Sequence, residues 1–280
     1  MNSEFVKLAG SLANIGGEII HLDVTTSTMD VAWNMAHDGA ADGTVVIADH
    51  QSAGRGRYDR SWISKQGQDI LCSVVLRPRV ALAGELLMLA ALAVADVTES
   101  YGLVAGIKWP NDVQVKGKKL AGVIAESVTG PDGGGEFEAG SAELGPDSLA
   151  EPDRIAAVIG IGLNVNFDPE SAANSAPDST SLSNELGQQL DRFQVFENLL
   201  RSLDNHYSAI TAGGSVVLAW REKLTTLGRE VTVVGGKPGD TTNLHGLAYD
   251  VDAIGRLIVR DENGRDWPVS AGEVTVMDIT

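Results

Sequence analysis

Residues 51–62 read QSAGRGRYDRSW and set Arg55, Arg57 and Arg60 among Gly54 and Gly56 within seven positions. Planar guanidinium forks match phosphate or carboxylate oxygens, and glycines let backbone N–H groups come close to an anion. Like charges crowded on one loop repel, so an anion that neutralises them would account for the run. A second stretch, KWPNDVQVKGKKLAG (108–122), fixes the backbone with Pro110 ahead of Asn111 and Asp112 and reaches Lys119 and Gly122. A third, GIGLN, places Gly160 and Gly162 ahead of Asn164. No Gly-Lys-Ser/Thr closes the arginine run and no helix opens directly after it, which excludes a P-loop and a Rossmann turn. The five histidines stand at no metal-ligand spacing, so no zinc site is expected. Cys72, the one cysteine, lies in the apolar run ILCSVVL without a basic neighbour and reads as a packing residue rather than a nucleophile.

The chain around these motifs is acidic. Its 280 residues carry a formal net charge of -17, with 43% apolar and 21% charged residues, enough to bury a sizeable core. Ten of the 21 basic residues fall between Arg55 and Lys119, whereas 120–200 holds only Arg154 and Arg192. Cations gathered in one segment suit a small phosphorylated ligand. General nucleic-acid binding needs a basic face to displace counterions, so it is not expected, and no DNA-binding pattern precedes residue 21. The N-terminus lacks a signal pattern, and the apolar stretch 86–97 meets Asp96 and Glu99 before it could span a bilayer. A lone cysteine fits a cytoplasmic protein with no membrane partner.

The elements that must position the motifs follow from periodicity. Met29, Val31, Ala32, Met35 and Ala36 mark a helix capped by Ser27 or Thr28 and ended at Gly39. GTVVIAD and DILCSVVLRP read as strands that flank the arginine loop, and 82–101 as a helix apolar nearly all round. Residues 106–127 suggest two strands with a hairpin at KGK. Residues 129–153, rich in Gly, Pro and acids, read as a mobile surface insertion. IAAVIGIGLNVNF is a buried strand, with helices over 192–212 and 216–226. From Arg229 short β runs with turns every eight to twelve residues describe a small antiparallel barrel. The expectation is an α+β chain: a mixed-sheet catalytic domain over 1–227 and a β domain over 228–280. Trp109 and Trp220 are taken as packing residues.

The motifs together resemble biotin protein ligases. Gly54–Arg57, Lys108–Asp112, Lys119–Gly122 and Gly160–Asn164 stand in the family's order, and Ser27, Thr28 and Gln51 match as well. The resemblance covers nearly the whole chain and implies a catalytic domain of the class II aminoacyl-synthetase-like, biotin–lipoate ligase type. It implies synthesis of biotinyl-5′-adenylate from biotin and ATP, then transfer to a lysine of a biotin carboxyl carrier domain of an acetyl-CoA, acyl-CoA or pyruvate carboxylase. By the same resemblance Lys119, Arg55 and Arg57 are catalytic. Ser27, Thr28, Gln51, Gly54, Gly56, Gly122, Gly160 and Gly162 join them around biotin. Arg60, Trp62, Asn111 and Asn164 join Arg55, Arg57 and Lys119 around ATP. Asp112 is a candidate contact for the Mg²⁺ that accompanies ATP. Arg265, Ser270 and Gly272 lie in the C-terminal region that would cap the nucleotide or meet the carrier. The chain is expected to act without the DNA-binding domain some members carry, as a monomer or weak homodimer. A lipoate–protein ligase and a non-catalytic biotin sensor are the rival readings; the motif forms disfavour the first and the intact Lys119 and arginines the second.

Overall fold

The computed structural model describes residues 4–58, 60–128, 153–169, 178–234, 243–270 and 272–276. Its main sheet has seven strands: β1 (Ile19–Leu22), β2 (Val45–Ala48), β3 (Ile70–Leu76), β4 (Ala105–Lys108), β5 (Asp112–Val115), β6 (Lys118–Val128) and β7 (Ala156–Leu163). The spatial order is β1-β2-β3-β7-β6-β5-β4, with β1 and β2 parallel and every other pair antiparallel. Strands β2 and β3 are buried on both faces, which explains why they read as apolar runs, with Ser73 the one polar residue among them.

Helix α1 (Thr28–His37) covers one face. Ser27 caps it, accepting from Met29 N at 3.2 Å, and Gly39 turns the chain away at φ +86°. Its buried side, Met29, Ala32 and Ala36, packs on Val46, Val75 and Val158. The opposite face receives α2 (Leu86–Ser100) and α4 (Arg192–Thr211), with Val45, Ile47, Ile159 and Ile161 in the same core. The run Val80–Ser100 is long and apolar enough by composition to cross a membrane. Here Leu86 to Ala95 is almost wholly buried among protein side chains, the placement of a core helix.

Several expectations change in detail. KGK does form a hairpin, with Lys116 at φ 52° and Gly117 at φ 80° as a two-residue turn requires. A separate strand, β4, precedes it, so three strands stand where two were expected. The helix expected over 216–226 is only α5 (Val217–Glu222), because the next residues bond the sheet edge: Ile107 N donates to Lys223 O at 2.8 Å and Thr225 N to Ile107 O at 2.9 Å. Short elements that periodicity did not mark are β1 and α3 (Leu182–Leu186). The insertion proposed for 129–153 lies, but for Asp153, outside the described residues.

The C-terminal strands β8 (Glu230–Val234), β9 (Asn243–Val251), β10 (Leu257–Arg260), β11 (Asp266–Val269) and β12 (Glu273–Val276) are antiparallel, as expected. They run β11-β10-β9-β8-β12, and among the described residues no pairing joins the two edge strands. The unit is therefore an open sheet rather than a closed barrel. It is tied to the larger domain where Trp109 Nε1 donates to Gly255 O at 3.0 Å.

Candidate active site

Strand register brings the motifs together. Lys108 faces Asp112, Asp112 faces Gly122, and Gly122 faces Gly162, so four residues from four strands form one row across the sheet. The next row sets Ile124 beside Gly160 and Gly160 beside Ser73. These rows lie on the face that α1 only half covers, and the uncovered part is a cleft of ≈ 200 Å³. The β5–β6 ladder shifts register between Val113 and Gln114. Leu120 and Ala121 consequently both enter the core while Lys119 and Gly122 both face the cleft. A bulge that re-aims one side chain is a common device beside a functional site.

Five cations line the cleft, Arg55, Arg57, Arg60, Lys108 and Lys119, against one carboxylate, Asp112, among the described residues. In a chain of net charge -17 this is a local positive field, which draws in anions. Lys119 Nζ stands 2.7 Å from Asp112 Oδ1 and 5.6 Å from the centre of the Trp62 ring. Trp62 lies flat on the glycine floor. A Cβ built on Gly162 would come 2.5 Å from Trp62 Cε2, and one on Gly122 would come 3.0 Å from Cζ3. Trp62 thus lines the cleft, and its buried Nε1 has no hydrogen-bond partner among the described residues. Gly160 is floored over by Met29, whose Sδ would stand 2.7 Å from an added Cβ.

The arginine loop folds back on itself, with Trp62 N donating to Gly54 O at 2.9 Å and Gly56 N to Arg60 O at 2.7 Å. Arg57 donates to Asn111 Oδ1 at 3.2 Å and to the Tyr58 hydroxyl at 2.8 Å, both neutral acceptors. Arg55 donates to Asp30 Oδ1 at 2.8 Å and Glu126 Oε1 at 2.7 Å. The idea that a ligand must neutralise every cation of the loop therefore fails for Arg55, which carboxylates of α1 and β6 already neutralise. Arg60 lines the cleft as well.

At the far end, Gln51 Oε1 accepts from Thr28 N at 2.7 Å and Thr28 Oγ1 at 3.0 Å, and Thr28 Oγ1 lies 2.8 Å from Ser73 Oγ. Ser27, Thr28 and Gln51 all line the cleft. Asn111 donates to Val123 O at 2.8 Å, fixing the amide whose oxygen meets Arg57. Asn164 is placed differently from the expectation. It does not line the cleft but donates to Thr180 O at 2.9 Å and so ties β7 to the segment before α3. Gly54 also stands back from the cleft, supporting the loop from behind Trp62.

Of the C-terminal candidates, Gly272 lines the cleft together with Val274 of β12. Arg265 instead stacks on Trp267 at 3.9 Å, and Ser270 is not at the cleft. Trp109 lines the cleft and Trp220 is core. Sequence reasoning missed Ser73, Tyr58 and Glu126. Ser73 carried a signal, a polar residue inside the apolar strand ILCSVVL.

One buried thiol and one buried acid bear on the chemistry. Burial pushes the Cys72 thiol up to about 12, so it stays protonated and inert although it borders the cleft. Asp69, where the arginine loop re-enters β3, is raised by burial to about 7 although Val165 N donates to its Oδ1 at 2.9 Å. No three His, Cys, Asp or Glu among the described residues gather as a metal set. Asp112 alone, already paired with Lys119, does not make a resident metal site.

Residues 21–142 match the Biotin/lipoate A/B protein ligase family and 226–277 the Biotin protein ligase C terminal domain. The chain is 33% identical over 260 residues to the bifunctional ligase/repressor BirA of Bacillus subtilis, covering 89% of this chain and 71% of that protein. It is 34% identical over 279 residues to the biotin–[acetyl-CoA-carboxylase] ligase of Mycobacterium tuberculosis, covering 95% and 93%. In fold it matches the biotin protein ligase of Aquifex aeolicus in complex with biotin and ATP, with TM-score 0.70, 23% identity and 92% and 98% coverage. A cationic cleft floored by glycines, on a chain 33–34% identical to these two relatives over 89–95% of its length, places the protein in the biotin protein ligase family.

Proposed function

We infer that the protein joins biotin to ATP, giving biotinyl-5′-adenylate and pyrophosphate, and then transfers biotin to a lysine of a biotin carboxyl carrier domain. The observation that carries this reading is the meeting of Lys119, Arg57 and the Gly122–Gly162 floor in one cationic cleft. In the first step a biotin carboxylate oxygen attacks the α-phosphorus and pyrophosphate leaves. Negative charge builds between two anions, and Lys119 and Arg57 are the groups placed to offset it. In the second step the carrier amine attacks the acyl carbon, AMP leaves with the bonding electrons, and the amine loses its proton. No protein nucleophile is required, in keeping with the inert Cys72 thiol.

Ser27, Thr28 and Gln51 supply hydrogen-bonding groups suited to the ureido ring of biotin, while Gly122 and Gly162 let the ligand approach the sheet. Trp62 and Asn111 suit the adenine end. Magnesium enters with ATP, and Asp112 is the lining carboxylate that would contact it. The smaller sheet, from about residue 228, closes the nucleotide side through Gly272 and Val274. The carrier of acetyl-CoA carboxylase is the partner suggested by the mycobacterial relative's name. A cytoplasmic setting, action without nucleic acid and a monomer or weak dimer go with the reading. One assay tests it: purified protein, ATP-Mg²⁺ and either biotin or lipoate, followed by pyrophosphate release and transfer to a carrier domain. Biotin-dependent transfer is expected; lipoate-dependent transfer, or binding without turnover, overturns it.

A further inference from the structure

Glu126 was not marked by any motif, yet both of its carboxylate oxygens are engaged. Oε1 accepts from Arg55 Nη2 at 2.7 Å, and Oε2 accepts from Trp33 Nε1 at 2.6 Å. Arg55 turns its other terminal nitrogen to Asp30 at 2.8 Å. One guanidinium therefore joins three separate parts of the fold: the first turn of α1, strand β6 and the arginine loop. The two carboxylates are unequal partners. The Glu126 side chain is 10% exposed, against 45% for Asp30, so water screens the Glu126 pair far less. Trp33 in turn fixes the Glu126 rotamer, a prerequisite for holding a long partner in one geometry.

The position of this cluster gives it a purpose. Glu126 lies on the same sheet face as Gly122 and Ile124, two and four residues along β6 from groups that line the cleft. Arg55 is two residues from Arg57, and the intervening Gly56 is bonded to Arg60. Fixing Arg55 therefore fixes where Arg57 and the returning Trp62 stand over the glycine floor. Exposed loops are in general more mobile than the elements they join, so each such tie matters.

We propose that Glu126 is a positioning residue that, by holding Arg55, clasps the arginine loop shut over the cleft and so retains the bound adenylate; neither Glu126 nor Arg55 grips the phosphate. The proposal rests on the functional reading above, and its test separates the two. Glu126→Gln is the variant of choice, since its amide oxygen still accepts from Trp33 while the less screened of the two charges that hold Arg55 is gone. On ligand-free protein, trypsin should cut the loop after Arg57 or Arg60 roughly fivefold faster in this variant than in the parent. With biotin and ATP, the share of adenylate that escapes to solution should rise by a similar factor. In an Arg55→Met background, Glu126→Gln should change neither readout further, as expected when two residues act through each other. Parent-like cleavage in Glu126→Gln, or effects that simply add in the double variant, overturn the clasp. A parent that makes no biotinyl-adenylate at all overturns the functional reading instead, and the ligand-free cleavage result still decides the clasp.

Discussion

Lys119 and Asp112 sit on neighbouring strands with their charged atoms 2.7 Å apart, at the one place where the β5–β6 register slips. The pairing holds the ammonium over the cleft floor, and the slip is what lets Lys119 share a face with Gly122. Replacing Lys119 by Ala should leave the fold intact, because the side chain is partly exposed at a strand's end. Adenylate synthesis should fall by about 10²–10³, the usual cost of one preorganised charge. Near-normal pyrophosphate release in that variant would remove Lys119 from the chemistry.

Arg57 ties the loop to Asn111, just ahead of β5, and also bonds its loop neighbour Tyr58. Arg57→Gly frees this contact and should let the reactive anhydride escape, biotinylating lysines on unrelated proteins. Water exclusion by a closed loop is the physical basis. The check is untargeted labelling of a bystander such as serum albumin; labelling no higher than with the parent contradicts it.

Gly162 accepts the Trp62 indole at a distance no side chain would allow. Gly162→Ala must displace the ring, since the new methyl would come within 2.5 Å of Cε2. Tryptophan fluorescence should shift, and affinity for the adenylate should drop roughly tenfold. An unchanged spectrum with unchanged affinity would show that the indole does not depend on this glycine.

Asp69 titrates in the wrong range for a carboxylate because burial raises it to about 7. The folded state then binds the proton more tightly than the unfolded chain, whose value is near 3.8. This group's contribution is favourable below about pH 4 and is lost as pH rises through about 7. Asp69→Asn keeps an oxygen for Val165 N and removes the titration. The stability difference between variant and parent should therefore grow in the variant's favour from pH 4 to pH 8. Denaturant melts across that range provide the measurement, and a flat difference refutes the assignment.

Asp204, buried in α4, receives Asn14 N at 2.7 Å, Ile15 N at 2.9 Å and Ala13 N at 3.3 Å. Asp204→Ala strands three donors of the N-terminal segment and should cost about 2 kcal/mol or more. Thermal unfolding is the readout, and a change under a few tenths would mean that water replaces the carboxylate.

Much of this architecture is legible in the sequence because its signals are local. The apolar run of β3, interrupted only by Ser73, announces a strand buried on both faces, and Ser27 with Gly39 brackets α1. The site motifs are equally local: Gly160 and Gly162 on β7 are spaced by the strand's own period of two. What escaped is whatever depends on partners far along the chain. The Arg55–Glu126 pair spans 71 positions, and nothing near Glu126 announces it. Asn164 sits beside the glycines of its motif, yet tertiary packing turns it to Thr180 rather than the cleft. The open edge between β11 and β12 likewise follows from long-range pairing, which turn spacing alone does not encode.

Gly272 and Val274 reach the cleft from the end of the chain, more than a hundred residues after the last glycine of its floor. The wall of the cleft is therefore a joint property of two structural units. A chimera that borrows only the terminal sheet from a relative should inherit part of that relative's preference for nucleotide analogues while keeping its own taste for the vitamin.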